Sequence, residues 1–365
     1  MKVMQLLPEL NSGGVERGTL EIARALVAQG HQSVVVSNGG RLVPDLEAEG
    51  TLHIPLAIHK KSLSSLLQIF SLRKIIEQQR PDILHVRSRV PAWLTHFALK
   101  GISAAKRPHL ISTVHGFYSV NRYSAIMTKA EKVIAVSDSV VAYIQENYPE
   151  CPPEDIVRIY RGINPKAFPH GYQPSAQWLN RIFADYPQLE DKFILCLPGR
   201  ITRLKGHETL IALMQQLKNH PHVHAVVVGG ADAKKQAYLD ELEQTIQKEQ
   251  LTQQITFVGH RSDIREWLAF SDVVLSLSNQ AETFGRTALE ALSVGTPVIG
   301  WKRGGVAEIL SQLYPQGLIE IDDQQQLLTT VQRHIEQPQP VAPVTQFSLQ
   351  EMCQQTLALY TSILK

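Results

Sequence analysis

Short apolar runs separated by longer amphipathic stretches recur along the chain. Residues 2–7, Ser33-Val34-Val35-Val36, Ile83-Leu84-His85-Val86, 110–114 and 133–136 are such runs. Mostly apolar and rich in β-branched residues, they predict strands covered on both faces. Between the first two, Leu20, Ile22, Ala23, Leu26 and Val27 form one helical stripe, and Gly30 supplies the stop. Ser137 suits the N-cap of a later helix. Around 160–175 the rhythm breaks at Gly162, Pro165, Pro169, Gly171 and Pro174, the marks of a linker. It resumes with 193–197, 225–228, 255–258, 273–275 and 297–299. A Pro-rich stretch, 338–343, then precedes a predicted final helix at 348–364. Strand, helix and parallel strand in alternation describe a doubly wound α/β sheet, here met twice.

Length agrees, because 365 residues at roughly 150 per domain predict two domains. We expect one domain at 1–165, a second at 166–345, and a C-terminal helix at 346–365. Overall charge is only +2, but it is unevenly spread. Residues 1–170 carry 20 Lys and Arg against 14 Asp and Glu, and 58–132 carry 13 against 3. Such an excess fits an anionic partner or a plain solvated basic face. The three cysteines, Cys151, Cys196 and Cys353, show no metal-binding spacing and suggest a reducing, cytoplasmic setting. The N-terminus meets Pro8 and Glu9 too soon for a secretory signal, and no run approaches the ~18 apolar residues of a membrane span.

Ligands of parallel sheets bind beyond the carboxyl ends of the strands, which directs attention to two loops of the second half. Residues 198–207 follow a predicted strand and hold Gly199, Arg200, Lys205 and Gly206, so close backbone approach and two cations suit a diphosphate. Residues 282–290 follow another strand, and 284–294 read as a helix. Backbone N–H groups of Phe284, Gly285 and Arg286 at its start suit an anion. Glu282 lies ahead of that helix and Glu290 two turns along it, placed to accept hydrogen bonds from a sugar and from a ribose.

Taken together, these segments resemble the retaining glycosyltransferases of family 4, of the GT-B fold: two Rossmann-like domains facing a deep cleft. The resemblance spans nearly the whole chain and rests on Asn11-Ser12-Gly13-Gly14-Val15-Glu16, Val136-Ser137, Gly199-Arg200 with Lys205-Gly206, Val258-Gly259, 282–299 and Gly304-Gly305-Val306-Ala307-Glu308-Ile309. It implies that Arg200 and Lys205 hold the donor diphosphate, that Glu282 with the backbone of 284–286 holds the donor sugar, and that Glu290 holds the ribose. It implies too that Gly13 and Gly14 leave room for the phosphates and that His115 lies near the donor sugar. Tyr160-Arg161-Gly162-Ile163-Asn164 departs from the family's Asn-Gly, then Ile or Val, then Asp. No Asp-x-Asp occurs, in keeping with transfer that uses no metal or other cofactor.

Other readings remain open. A dinucleotide dehydrogenase lacks support, because Gly13, Gly14 and Gly18 miss the Gly-x-Gly-x-x-Gly spacing. A nucleotide-sugar epimerase of the same fold is one alternative; a non-catalytic nucleotide-sugar binding protein is another, disfavoured because Arg200, Lys205, Glu282 and Glu290 are all present where a degenerate relative is expected to lose some. For the acceptor, Leu63, Leu66, Leu67, Ile69, Phe70, Leu72, Ile75 and Ile76 form an apolar face beside Lys60, Lys61, Arg73 and Lys74. Such a helix either lies on an anionic membrane or packs on the first sheet. Arg87 and Arg89 end a strand where an acceptor phosphate can sit. The expected partners are therefore a nucleoside-diphosphate sugar and a saccharide acceptor, preferably a lipid-linked bacterial glycan such as a lipopolysaccharide core, with no nucleic acid. The expected location is cytoplasmic, at the inner face of the membrane.

Overall fold

A computed structural model of the chain describes residues 1–11, 13–60, 67–231 and 235–365. The chain divides into two compact units, Met1–Gly162 with Phe347–Lys365, and Ile163–Gln346. The first unit runs β1 (Lys2–Leu6), α1 (Gly14–Ala28), β2 (Gln32–Ser37), α2 (Val43–Ala48), β3 (Leu52–Pro55), α3 (Gln68–Gln79), β4 (Ile83–Val86), α4 (Arg89–Lys100), β5 (His109–Val114), β6 (Lys132–Ala135), α5 (Asp138–Asn147) and β7 (Ile156–Arg158). Its strands lie in the order β3-β2-β1-β4-β5-β6-β7, all parallel, and the order reverses between β1 and β4.

Alternation along each strand divides its side chains between two cores. Met4, Leu6 and Leu84 face one side, with Leu72 and Ile76 of α3, Leu94 and Ala98 of α4, and Ile144 of α5. Val3, Ile83 and Ile111 face the other, with Ile22 and Leu26 of α1. The last helix of the chain, Leu349–Ile363, adds Met352, Leu357 and Tyr360 to that second core. Its Ser348 cap accepts a hydrogen bond from the Glu351 N–H at 3.0 Å. Buried His85 bridges the Tyr360 hydroxyl and the Thr113 hydroxyl, each 2.6 Å from a ring nitrogen.

The second unit runs α6 (Ala176–Asp185), β8 (Phe193–Pro198), α7 (His207–Gln216), β9 (Val223–Val228), α8 (Gln236–Lys248), β10 (Ile255–Phe257), α9 (Ile264–Phe270), β11 (Val273–Ser276), α10 (Arg286–Val294), β12 (Val298–Trp301), α11 (Gly304–Leu313), β13 (Leu318–Ile319) and α12 (Gln324–Glu336); the closing helix of the first unit is α13. Its parallel sheet has the order β10-β9-β8-β11-β12-β13 and reverses between β8 and β11. No helix among the described residues is long and apolar enough to cross a membrane.

The expected helix 284–294 begins later: Gly285 is its cap and Arg286 its first residue. Of the apolar face expected between Leu63 and Ile76, Leu63 and Leu66 lie outside the described residues, as does Lys61. The described helix, α3, starts at Gln68 and runs on to Gln79, where Arg80 turns into the left-handed region. Edge strands β3, β7 and β13 had not been anticipated from the sequence.

Candidate active site

Where the strand order of a parallel sheet reverses, the loops on either side diverge and leave room for a ligand. In the second unit these are 199–206 after β8 and 277–285 after β11. Asn279 ties them together: its N–H donates to the Leu204 carbonyl and its side-chain amide to the Arg203 carbonyl, both at 2.9 Å. Two glycines make the fit possible. Gly206 has φ +78°, and a Cβ there would stand 2.1 Å from the Leu277 carbonyl oxygen; Gly285 has φ +91°, and its Cβ would meet Val306 at 2.6 Å. From α11, Gly305 N–H donates to the Glu282 carbonyl at 2.8 Å, and Arg303 donates to the carbonyls of Ser278, at 3.3 Å, and Asn279.

That frame holds an ion pair. Lys205 Nζ donates to Glu282 Oε1 at 2.6 Å, and Ser278 Oγ donates to the same oxygen at 2.6 Å. The two charged side chains are 29% and 28% exposed. Burial raises the pKa of Glu282, but the Lys205 charge and the donors Lys205 and Ser278 outweigh it, so the carboxyl sits below its ordinary range and stays ionised. Lys205, Ser278, Glu282, Thr287 and Ala288 line one pocket. The last two belong to the first turn of α10, so that helix's positive end meets an ammonium where an anion would bind. Arg200, on the Lys205 loop, is exposed and makes no ion pair among the described residues. Phe284, Gly285 and Glu290 are buried, Glu290 to 4% exposure on α10. Ser278 was missed in the sequence; its place just past β11 was the available signal.

In the first unit the strand order reverses between the loops after β1 and β4. Gly13, with φ +141°, caps α1 and Gly14 opens it, while Ser12 lies outside the described residues. Arg87 does not reach the surface: it is 1% exposed and its Nε donates to Gln5 Oε1 at 2.8 Å. The cause is local, because Arg87 N–H extends the β1–β4 ladder to the Leu6 carbonyl and leaves the side chain inside. Arg89, two residues on, is half-buried at the start of α4. His115 follows β5, and Arg161 donates to its Nδ1. Burial, then the charges of Arg161 and Arg87, hold the imidazole pKa well below its ordinary value, so the ring is neutral near pH 7. Arg161 falls in the segment that departs from the family. Lys60 and Lys74 are exposed, whereas Arg73 is half-buried and donates to the Ala98 carbonyl at 3.3 Å.

Two Rossmann-like parallel sheets in one chain are the GT-B architecture. The model of Glycosyltransferase Family 4 matches residues 12–167 and that of Glycosyl transferases group 1 matches 180–348. The chain belongs to family 4 of the GT-B glycosyltransferases. Among solved structures it is similar to a glycosyltransferase from Rickettsia africae, 29% identical with a TM-score of 0.86 over 100% of this chain and 98% of that one. The Anabaena protein HepE in complex with UDP-glucose shares the fold, at 22% identity and TM-score 0.82 over 99% of this chain and 100% of that one. Among characterised relatives, N-acetyl-alpha-D-glucosaminyl L-malate synthase from Bacillus anthracis is 21% identical over 87% of this chain and 82% of its own.

Proposed function

We propose that the protein moves a sugar from a nucleoside-diphosphate sugar to a saccharide acceptor, with retention and without a metal ion. The observation that carries the reading is the cluster of Lys205, Ser278 and Glu282 beside the start of α10. Lys205 and Arg200 neutralise the diphosphate as it departs, the largest service such a site can give. Glu282 accepts hydrogen bonds from the sugar's hydroxyls and Glu290 from the ribose. Neutral His115 donates or accepts a hydrogen bond but brings no charge. UDP-glucose bound to the Anabaena neighbour supports a uridine donor.

A lipid-linked bacterial glycan, such as a lipopolysaccharide core, is the acceptor we favour, with the protein resting on the cytoplasmic face of an anionic membrane. Leu67 and Phe70 are 68% and 66% exposed, close in sequence to exposed Lys60 and Lys74, which supports that contact. The relative named for L-malate shows that family membership leaves the acceptor open.

The test is release of UDP from UDP-glucose with and without candidate glycans, in the presence of EDTA. Acceptor-dependent release with an unchanged anomeric configuration is expected. Loss on chelation, restored by magnesium or manganese, would sink the metal-free transfer, and acceptor-independent turnover would favour the epimerase reading.

A further inference from the structure

The first unit gathers a second set of chemistry beyond β4 and β5. The Arg89 guanidinium lies 4.6 Å from the ring centroid of Tyr118 and 5.5 Å from that of Tyr123, and its NH1 donates to Ser124 Oγ at 3.2 Å. The cradle is fixed from outside. Trp93 stacks on Tyr123, centroids 6.4 Å apart and planes 13° apart, and its Nε1 donates to the Tyr123 carbonyl at 2.9 Å. Tyr143 donates its hydroxyl to the Tyr118 carbonyl at 2.7 Å, and the Tyr118 hydroxyl accepts the His115 N–H at 3.4 Å. One ring of the cradle therefore touches the backbone of His115.

Among the described residues no carboxylate pairs with Arg89. Acids are scarce nearby: of the 3 in 58–132, Glu131 pairs with His109 at 2.7 Å and Asp82 accepts from the Lys2 N–H at 2.6 Å. A guanidinium stacked on aromatic faces has already lost its side-chain freedom, and most of its five N–H donors stay at its edge. That geometry matches the two oxygens of a phosphate or carboxylate.

We infer that Arg89, with Tyr118 and Tyr123, is a subsite for an anionic group carried on a sugar ring of the acceptor. The inference rests on the glycosyl-transfer reading and deepens it by giving the acceptor a charge.

The experiment is calorimetry on the full chain with glucose 6-phosphate, glucuronate, glucose and UDP, comparing wild type with Arg89→Gln and Arg89→Lys. Wild type should bind glucose 6-phosphate or glucuronate about tenfold or more tightly than glucose, the size expected of a charge-assisted pair. Arg89→Gln should erase that preference, Arg89→Lys should restore part of it, and both should keep wild-type UDP affinity. A wild type with no preference for the charged sugars, or an Arg89→Gln variant that keeps it, overturns the subsite. If Arg89→Gln instead loses binding to phosphatidylglycerol vesicles while keeping the sugar preference, Arg89 serves a membrane and the subsite is likewise overturned. Failure of wild type to bind UDP strikes the donor reading alone, since the sugar comparison does not depend on it.

Discussion

The Lys205–Glu282 pair makes a prediction whose sign is unusual for a binding-site variant. A diphosphate entering this pocket must share the Lys205 ammonium with a carboxylate 2.6 Å away. Glu282→Gln keeps the shape, and its amide oxygen can still accept from Ser278, but the competing charge is gone. A hydrogen bond to a charged group contributes about 1.5–3 kcal/mol, and about half of that is recovered when a neutral amide replaces the carboxylate. UDP should therefore bind Glu282→Gln about 3- to 10-fold more tightly, while sugar transfer falls because the donor's hydroxyls lose a charged acceptor. Lys205→Ala should act the other way, weakening UDP by about 10- to 150-fold. Calorimetric titration with UDP gives the affinities, and UDP release from UDP-glucose gives turnover. In a Lys205→Ala background the gain from Glu282→Gln should vanish, because the two residues act through one contact. Weaker UDP binding by Glu282→Gln, or an equal gain in both backgrounds, would refute the competition argument.

Three further expectations concern stability and surface. Tyr360→Phe removes the hydroxyl that meets buried His85 Nδ1 at 2.6 Å, and leaving that nitrogen unpaired should cost about 1–3 kcal/mol in denaturant unfolding of the first unit; an unchanged midpoint refutes a structural role for the contact. Burial raises the pKa of Asp263, but hydrogen bonds from Arg261 and Trp178 outweigh it and hold the carboxyl at about 2, below its ordinary 3.8. A depressed carboxyl stabilises the fold above its unfolded pKa, so about 2 kcal/mol should be present near pH 5 and drain away as pH falls toward 2; the gap in unfolding midpoint between wild type and Asp263→Asn should close over that window. Replacing Lys60, Lys61 and Lys74 with Gln should weaken binding to anionic vesicles by about 1 kcal/mol per charge, and wild-type binding should fall as salt rises; vesicle binding as tight as the parent's would mark the patch as a solvated face.

The strands that the sequence revealed are those buried on both faces. Val34, Val35 and Val36 point to alternate sides, yet all three are within 2% of full burial, so alternation collapses into an apolar run visible without coordinates. At the sheet edge that signal fails: β3 has Leu52 49% exposed and His53 half-buried, a mixture that resembles loop sequence. Loop chemistry was legible one residue at a time. Lys205 and Glu282 could each be chosen because glycines and strand ends flagged their loops, but their pairing could not, since 77 residues and three strands of crossover separate them. The same limit explains Arg87 and Arg89. Two arginines at the end of one strand look alike in sequence, yet Arg87 still belongs to the ladder and meets Gln5 inside, whereas Arg89 opens α4 among tyrosines. Arg161 shows the limit most sharply, because it stands where the family commonly has asparagine and its effect falls on His115, 46 residues earlier. Burial does most to keep the imidazole neutral, and a cation at that place adds to it, so the departure from the family pattern also acts on the electrostatics of a neighbouring side chain.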